Sequence, residues 1–358
     1  MHSSANVRNQ SPVYGRMKTA GSVKDAVCNF SALLSAEKRC HKNVGYKDSV
    51  SSFHMTVLSN VYKLRQELLE GRYKTRVGQS FTIYEPKRRT VTSTPYKDRI
   101  PQASLVMNFY YPYIEPHLSP CSYACLKGRG VDVARNKLKE ILREASPDDY
   151  ILKVDFTDYF GSINHEVLLG ELSEYFPDEW TREYHEDIYG CNGKETGLSL
   201  GSEINQLSAV TLPTKMDREL AKGPYARYMD DLVVCGDRAW IEHAYATIRA
   251  EADRLCLKIS EKKTYIQPVA RPVRFLGFSF LRHPTGRVTV KRLPEKLKNE
   301  KRRLRRMKKS GVPIESVLEH YQSVRATMKH GERSGVVKLD RYFNNLFKEE
   351  LQNECRNQ

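Results

Sequence analysis

Two short apolar runs that end or break on aspartates constrain this chain more than anything else in its sequence. ILKVDF (151–156) reads as a buried strand that carries Asp155 to its C-terminal edge. About 75 residues further on, ARYMDDLVVCGD (226–237) is apolar on both sides of Asp230 and Asp231, the pattern of a strand, a tight turn and a second strand. Strand ends hold side chains rigidly, so acids delivered this way can converge as a set of hard oxygen donors. Such donors suit a pair of Mg²⁺ ions roughly 3.5–4 Å apart, which clamp the attacking and leaving oxygens of an in-line phosphoryl transfer. Two adjacent acids alone are more often a solvated turn. The apolar arms argue for an anchored one.

The rest of the chain organises around these runs. The first 50 or so residues are polar, rich in Ser, Asn and Lys, and only weakly periodic, and read as a loosely ordered N-terminal extension (1–50) that ends in a short helix. From Phe53 onward, Met55, Leu58, Val61, Tyr62, Leu64, Leu68 and Leu69 fall at mostly three- and four-residue spacings, which predicts one amphipathic helix stopped by Gly71. FTIYEPKRRTVTSTP (81–95) alternates around a turn at Pro86 to Arg89, the pattern of a hairpin, and helix is expected again over 97–113. Further helices are expected over 164–175, 179–189, 202–220 and 240–256, and from Pro294 to the C-terminus; LKISEKKTYIQPV and VRFLGFSFLRH read as strands.

A net charge of +16, from 59 Lys and Arg against 43 Asp and Glu, favours a polyanionic partner, because each neutralised phosphate releases condensed counterions. No run approaches the length of a membrane span and the N-terminus lacks a secretory h-region, so a cytoplasmic protein with no membrane partner is expected. Cys121 and Cys125 have no second Cys/His pair at zinc-finger spacing, which leaves reduced thiols as the default.

The blocks around the acids resemble those of reverse transcriptases, in that family's order. Tyr228-Met229-Asp230-Asp231 is similar to the YxDD box, and KVDFTDYFGSINH (153–165) to the palm block with its first acid. EPKRRTVTSTPYKDR (85–99) resembles the fingers block, GLSLGSEINQ (197–206) the Gly-rich block, LKISEKKT (257–264) the block with a nucleotide-proximal lysine, and FLGF (275–278) the primer grip. The resemblance covers roughly residues 53–345. It implies an α+β right-hand polymerase: fingers (51–149), a palm with an antiparallel sheet (150–285, with a fingers insertion around 164–200) and a helical thumb (286–358).

Residue by residue, the resemblance makes Asp155, Asp230 and Asp231 the catalytic and metal-binding acids, with Asp155 and Asp230 the more direct ligands of two Mg²⁺ ions, for which Mn²⁺ substitutes. Lys87, Arg89, Phe156, Phe160, Gly201, Gln206 and Lys263 are the implied nucleotide-binding residues. Arg88 is the rival of Lys87 and Arg89 for the triphosphate, and Lys262 replaces Lys263 if the register slips by one. Phe160 occupies the place of an aromatic gate against the ribose 2′-hydroxyl, while Asp158 reads as a helix cap or surface acid. Tyr228, Phe275, Leu276, Gly277, Arg302, Arg303, Arg305 and Arg306 are implied to meet primer and template, the four arginines in the basic run PEKLKNEKRRLRRMKKSG (294–311). The implied partners are an RNA template, a DNA or RNA primer and dNTPs, with a structured non-coding RNA and a small accessory protein as further candidates.

Leu200 before Gly201, and Gln206 where proline is common, are similar to the reverse transcriptases of bacterial diversity-generating retroelements, as is SYACLKGRG (122–130). That subgroup is associated with error-prone copying of adenines. Asn205 and Ser199 depart from the pattern, and phage-defence or retron-like relatives, with template-independent or protein-primed synthesis, are the alternative. Other chemistries on the same palm are an RNA-directed RNA polymerase and a catalytically dead nucleic-acid-binding module.

Overall fold

The computed structural model describes residues 22–84, 88–176, 178–328, 331 and 333–357. Its α+β chain forms two compact units. Among the described residues no helix is long and apolar enough to cross a membrane.

The first unit takes in Met1–Lys127, Phe156–Glu219 and Thr247–Ile259. Over its described part the extension is not loosely ordered: helices Val23–Cys28 and Phe30–His41, capped by Ser22 and Asn29, bury Val27, Leu33 and Ala36. The helix expected from Phe53 is two, Asp48–Met55 and Val57–Leu69, because Thr56 leaves helical geometry at φ −123°. Only the Val61, Leu64 and Leu68 stripe is buried; Met55, Leu58 and Tyr62 lie on the surface. Strands β1 (Gln79–Ile83) and β2 (Arg89–Ser93) pair antiparallel from Gln79↔Ser93 to Ile83↔Arg89, as the alternation requires. Part of their turn, including Lys87, lies outside the described residues.

Helix Tyr96–Leu105 runs into a wider π-helical stretch, Val106–Ile114, which contains Pro112 and so lacks one backbone donor. The Tyr110 hydroxyl in that stretch lies 2.9 Å from His185 Nε2 and 2.9 Å from Ser208 Oγ. His185 is fully buried, and burial pushes its pKa down to about 4, so the ring is neutral at pH 7. The single helix expected over 202–220 is divided into Glu203–Thr211 and Thr214–Leu220, with Pro213 at the break.

The second unit takes in Gly128–Asp155, Leu220–Ala246 and Ser260–Gln358. Its larger sheet contains β3 (Tyr150–Val154), β4 (Tyr225–Tyr228), β5 (Asp231–Gly236) and β6 (Tyr265–Pro268), in the antiparallel order β4-β5-β3-β6. A smaller sheet orders β7 (Val273–Phe275), β8 (Phe278–Arg282) and β9 (Val288–Arg292) consecutively. LKISEKKT is not strand but a turn-rich approach to β6. Helix Val131–Glu144 buries Ala134, Leu138, Ile141 and Leu142, at spacings of three and four. The C-terminal helices Pro294–Lys309, Ile314–Met328, Arg333–Leu346 and Lys348–Asn357 build a separate core from Leu304, Val317, Met328, Leu339, Phe343 and Phe347.

Candidate active site

Strand register brings the acids together. β3 and β5 pair up to Val154↔Leu232, so one further step along the same register sets Asp155 opposite Asp231. β4 and β5 pair up to Tyr228↔Asp231, which leaves Met229 and Asp230 as a two-residue turn. The buried runs Ile151–Val154 and Leu232–Cys235 anchor both sides. Met229 has φ +57°, a value for which glycine is the usual choice at this place in a hairpin. The fully buried Arg227 donates from Nη1 to the Met229 carbonyl at 3.1 Å and so fixes the turn from below.

Two lysines meet the acids. Lys263 Nζ donates to Asp155 Oδ1 at 2.6 Å, which selects Lys263 over Lys262 as the lysine facing the first acid. Lys153, buried two residues before Asp155 and therefore on the same face of β3, donates to Asp231 Oδ1 and to the Val154 carbonyl. The Leu276 amide donates to the other oxygen, Asp231 Oδ2, at 3.5 Å. Burial raises the pKa of Asp230, and the charges of Asp155 and Asp231 raise it further against the pull of Lys263. Burial also raises that of Asp231, with Lys153 opposing and Asp155 adding to the rise. Crowded carboxylates of this kind are what a bound cation would relieve.

Among the described residues no three His, Cys, Asp or Glu side chains are arranged as a metal-holding group; Asp155 and Asp231 face ammonium groups instead. The donor chemistry still fits a hard divalent ion, since every donor is a carboxylate oxygen. The Lys263 side chain, 56% exposed, can swing off Asp155 at little cost.

The other expected residues divide between the units. In the second, Tyr228 is half-buried at the end of β4, and Leu276 and Gly277 form the two-residue turn between β7 and β8. Phe275, expected at the primer, is buried instead and belongs to the core. Arg302, Arg303, Arg305 and Arg306 are exposed on helix Pro294–Lys309.

In the first unit Arg89 is exposed at the start of β2, whereas Phe156, expected beside the nucleotide, is core, and its backbone bridges Ile259. Phe160 is half-buried, its carbonyl accepting from the Leu198 amide at 2.8 Å. Gly201, at φ +112°, lies so close to β2 that a Cβ would come 2.9 Å from the Thr92 carbonyl oxygen. The Gln206 amide oxygen accepts from Cys125 Sγ at 3.3 Å. Asp158 stands before the short helix Tyr159–Ser162 in left-handed geometry, but its side chain makes no capping bond; it folds over Gly161.

Sequence reasoning passed over Lys153, Arg227 and Arg135. A lysine inside an apolar run, two places before an acid, was a usable signal, because the two-residue period puts both on one face. Nothing local marks Arg135.

A family model described as reverse transcriptase (RNA-dependent DNA polymerase) matches residues 47–280. No curated protein matches the chain. Among solved structures, a telomerase from Candida albicans in complex with a fragment of telomeric RNA is similar at 13% identity and TM-score 0.43, over 66% of this chain and 49% of that one. An apo telomerase from Candida tropicalis is similar at 12% identity and TM-score 0.44, over 66% of this chain and 53% of that one. The chain thus spans about half the length of these two structures.

Proposed function

Because this chain belongs to the reverse transcriptase family, we propose that it is an RNA-directed DNA polymerase, extending a DNA or RNA primer on an RNA template with dNTPs. The observation that carries the reading is the strand register that sets Asp155 opposite Asp231, with Asp230 in the adjoining turn. The functional divisions we assign are fingers 51–149, palm 150–285 with its insertion around 164–200, and thumb 286–358, preceded by the extension 1–50.

Asp155 and Asp230, with Asp231 behind them, would hold two Mg²⁺ ions, which supply charge neutralisation at the attacking and leaving oxygens. Lys263, released from Asp155, places its ammonium against the pyrophosphate that leaves and acts as its general acid. Lys87 and Arg89 take the triphosphate, the Gly201 and Gln206 block lines the nucleotide, and the Leu276–Gly277 turn with Tyr228 holds the primer end. The test is dNTP incorporation on an RNA template with Mg²⁺. Wild-type protein that makes no DNA on any primed RNA would overturn the reading.

Phe160 gates the sugar in this scheme. Phe160→Ala is expected to improve ribonucleotide use relative to deoxynucleotides roughly 10- to 100-fold, read as the ratio of kcat/KM values. An unchanged ratio would show that the ring packs without gating.

The exposed arginines of helix Pro294–Lys309 serve the duplex backbone. Replacing Arg302 and Arg305 together by Glu is expected to weaken duplex binding on every sequence and to flatten the log–log salt dependence by about 2. A salt dependence equal to wild type would remove these two residues from the interface.

The subgroup reading we favour is diversity-generating, with low fidelity at template adenines. Its support is the aliphatic Leu200 in place of an amide, which removes a polar constraint near the nucleotide. A structured RNA and a small accessory protein are the partners it brings. Sequencing cDNA made from the native locus tests it: scrambled adenines support it, and faithful copying favours the defence or retron-like alternative.

A further inference from the structure

Two hairpin turns in the second unit share one unusual construction. The Met229-Asp230 turn begins on a non-glycine residue at φ +57°, and the Leu276-Gly277 turn on another at φ +45°. Left-handed geometry at a bulky side chain is strained and persists only where the surroundings impose it. In both turns the carbonyl of that strained residue is held by a buried or nearly buried arginine. Arg227 holds Met229. Arg135, from helix Val131–Glu144, holds Leu276 with two nitrogens, Nη2 at 2.6 Å and Nε at 3.2 Å.

Arg135 is itself fixed on every side. Its Nη1 donates to Asp132 at 2.9 Å, its guanidinium lies 4.3 Å from the centre of the Phe278 ring, and its side chain is only 13% exposed. The Leu276 amide, one peptide before the clamped carbonyl, points at Asp231 Oδ2. A continuous line of contacts therefore runs from Arg135 through both peptide groups of Leu276 to Asp231, and on to Lys153.

We infer that Arg135 is a positioning residue, which locks the strained Leu276-Gly277 turn in register with Asp231 so that the primer 3′ end is presented to the acids. The inference rests on the polymerase reading above. A lysine could replace the charge but not the two-nitrogen grip or the stacking on Phe278.

The test uses the full chain, an RNA-template/DNA-primer duplex, and the variants Arg135→Gln and Arg135→Lys. For Arg135→Gln, kcat is expected to fall roughly 10- to 100-fold, the cost of a small misplacement of a reacting end, with KM for the duplex within about threefold of wild type. Arg135→Lys should recover part of the loss. A 2-aminopurine at the primer 3′ terminus, read without dNTP, should brighten in the bound Arg135→Gln complex as the terminus loosens. An unchanged kcat would overturn the inference, as would unchanged aminopurine fluorescence, or a kcat that falls in step with duplex binding and the melting temperature. If the wild type binds duplex but makes no DNA, the polymerase reading fails alone, and the aminopurine signal still judges Arg135.

Discussion

Asp155→Asn and Asp230→Asn are each expected to lower nucleotide incorporation by about 10³-fold or more, since each removes a charged ligand where several kcal/mol of stabilisation is concentrated and every 1.36 kcal/mol is tenfold. Their effects on stability should differ. Asp155 is paired with an exposed lysine, so its loss should shift the melting temperature little. Asp230 is held above the ordinary carboxylate range, first by burial and then by two neighbouring aspartates. A raised carboxyl pKa means that the ionised form opposes folding, and stability falls as pH climbs through the interval between the unfolded and folded values. Asp230→Asn should therefore be more stable than wild type at pH 7 without divalent ions. The advantage should vanish below about pH 4, where the unfolded carboxyl is also protonated. Thermal melts at both pH values in a chelator, beside incorporation assays in Mg²⁺, check this. A variant that loses activity and also melts lower at neutral pH would mean that the acid supports the fold rather than straining it.

The acids were legible because their signal is local. Each sits at the end of an apolar run, and a strand's alternation fixes which neighbours share its face. The same rule, applied one step further, finds Lys153 beneath Asp155. Periodicity failed where the outcome depends on what covers a face. The helix Val57–Leu69 carries more apolar residues than its neighbours bury, so Leu58 and Tyr62 remain outside while Val61, Leu64 and Leu68 go in. The buried rings of Phe156 and Phe275 have the same cause: a motif reports that a residue lies beside a site, not whether its side chain points at it. Pro213 was a breaker in plain view, and its missing donor outweighed the apolar pattern around it. The arginine clamps were invisible for another reason. Arg135 and Leu276 lie 141 residues apart, and no local propensity encodes the meeting of a guanidinium with a distant carbonyl.

Lys153→Met should be the most destabilising of the substitutions considered, at about 3–5 kcal/mol near neutral pH, because it breaks a buried pair from one side. Methionine nearly matches the length of the lysine stem, so little cavity is left and the loss is electrostatic. Only 8% of the Lys153 side chain and 22% of that of Asp231 are exposed. Without the ammonium, Asp231 keeps the burial and the repulsion from Asp155 that already raise its pKa, and loses the main opposing pull. Its folded pKa then rises further. The destabilisation should accordingly be full at pH 7 and shrink as acid protonates the carboxyl. Adding Asp231→Asn to Lys153→Met should recover much of the loss, since a neutral amide needs no counter-charge. Urea unfolding of the single and double variants at pH 7 and pH 5 measures both effects. If Lys153→Met loses the same stability at the two pH values, and Asp231→Asn fails to rescue it, the lysine is there for packing. The burial of Asp231 would then depend on some other group, with the Leu276 amide the first to test.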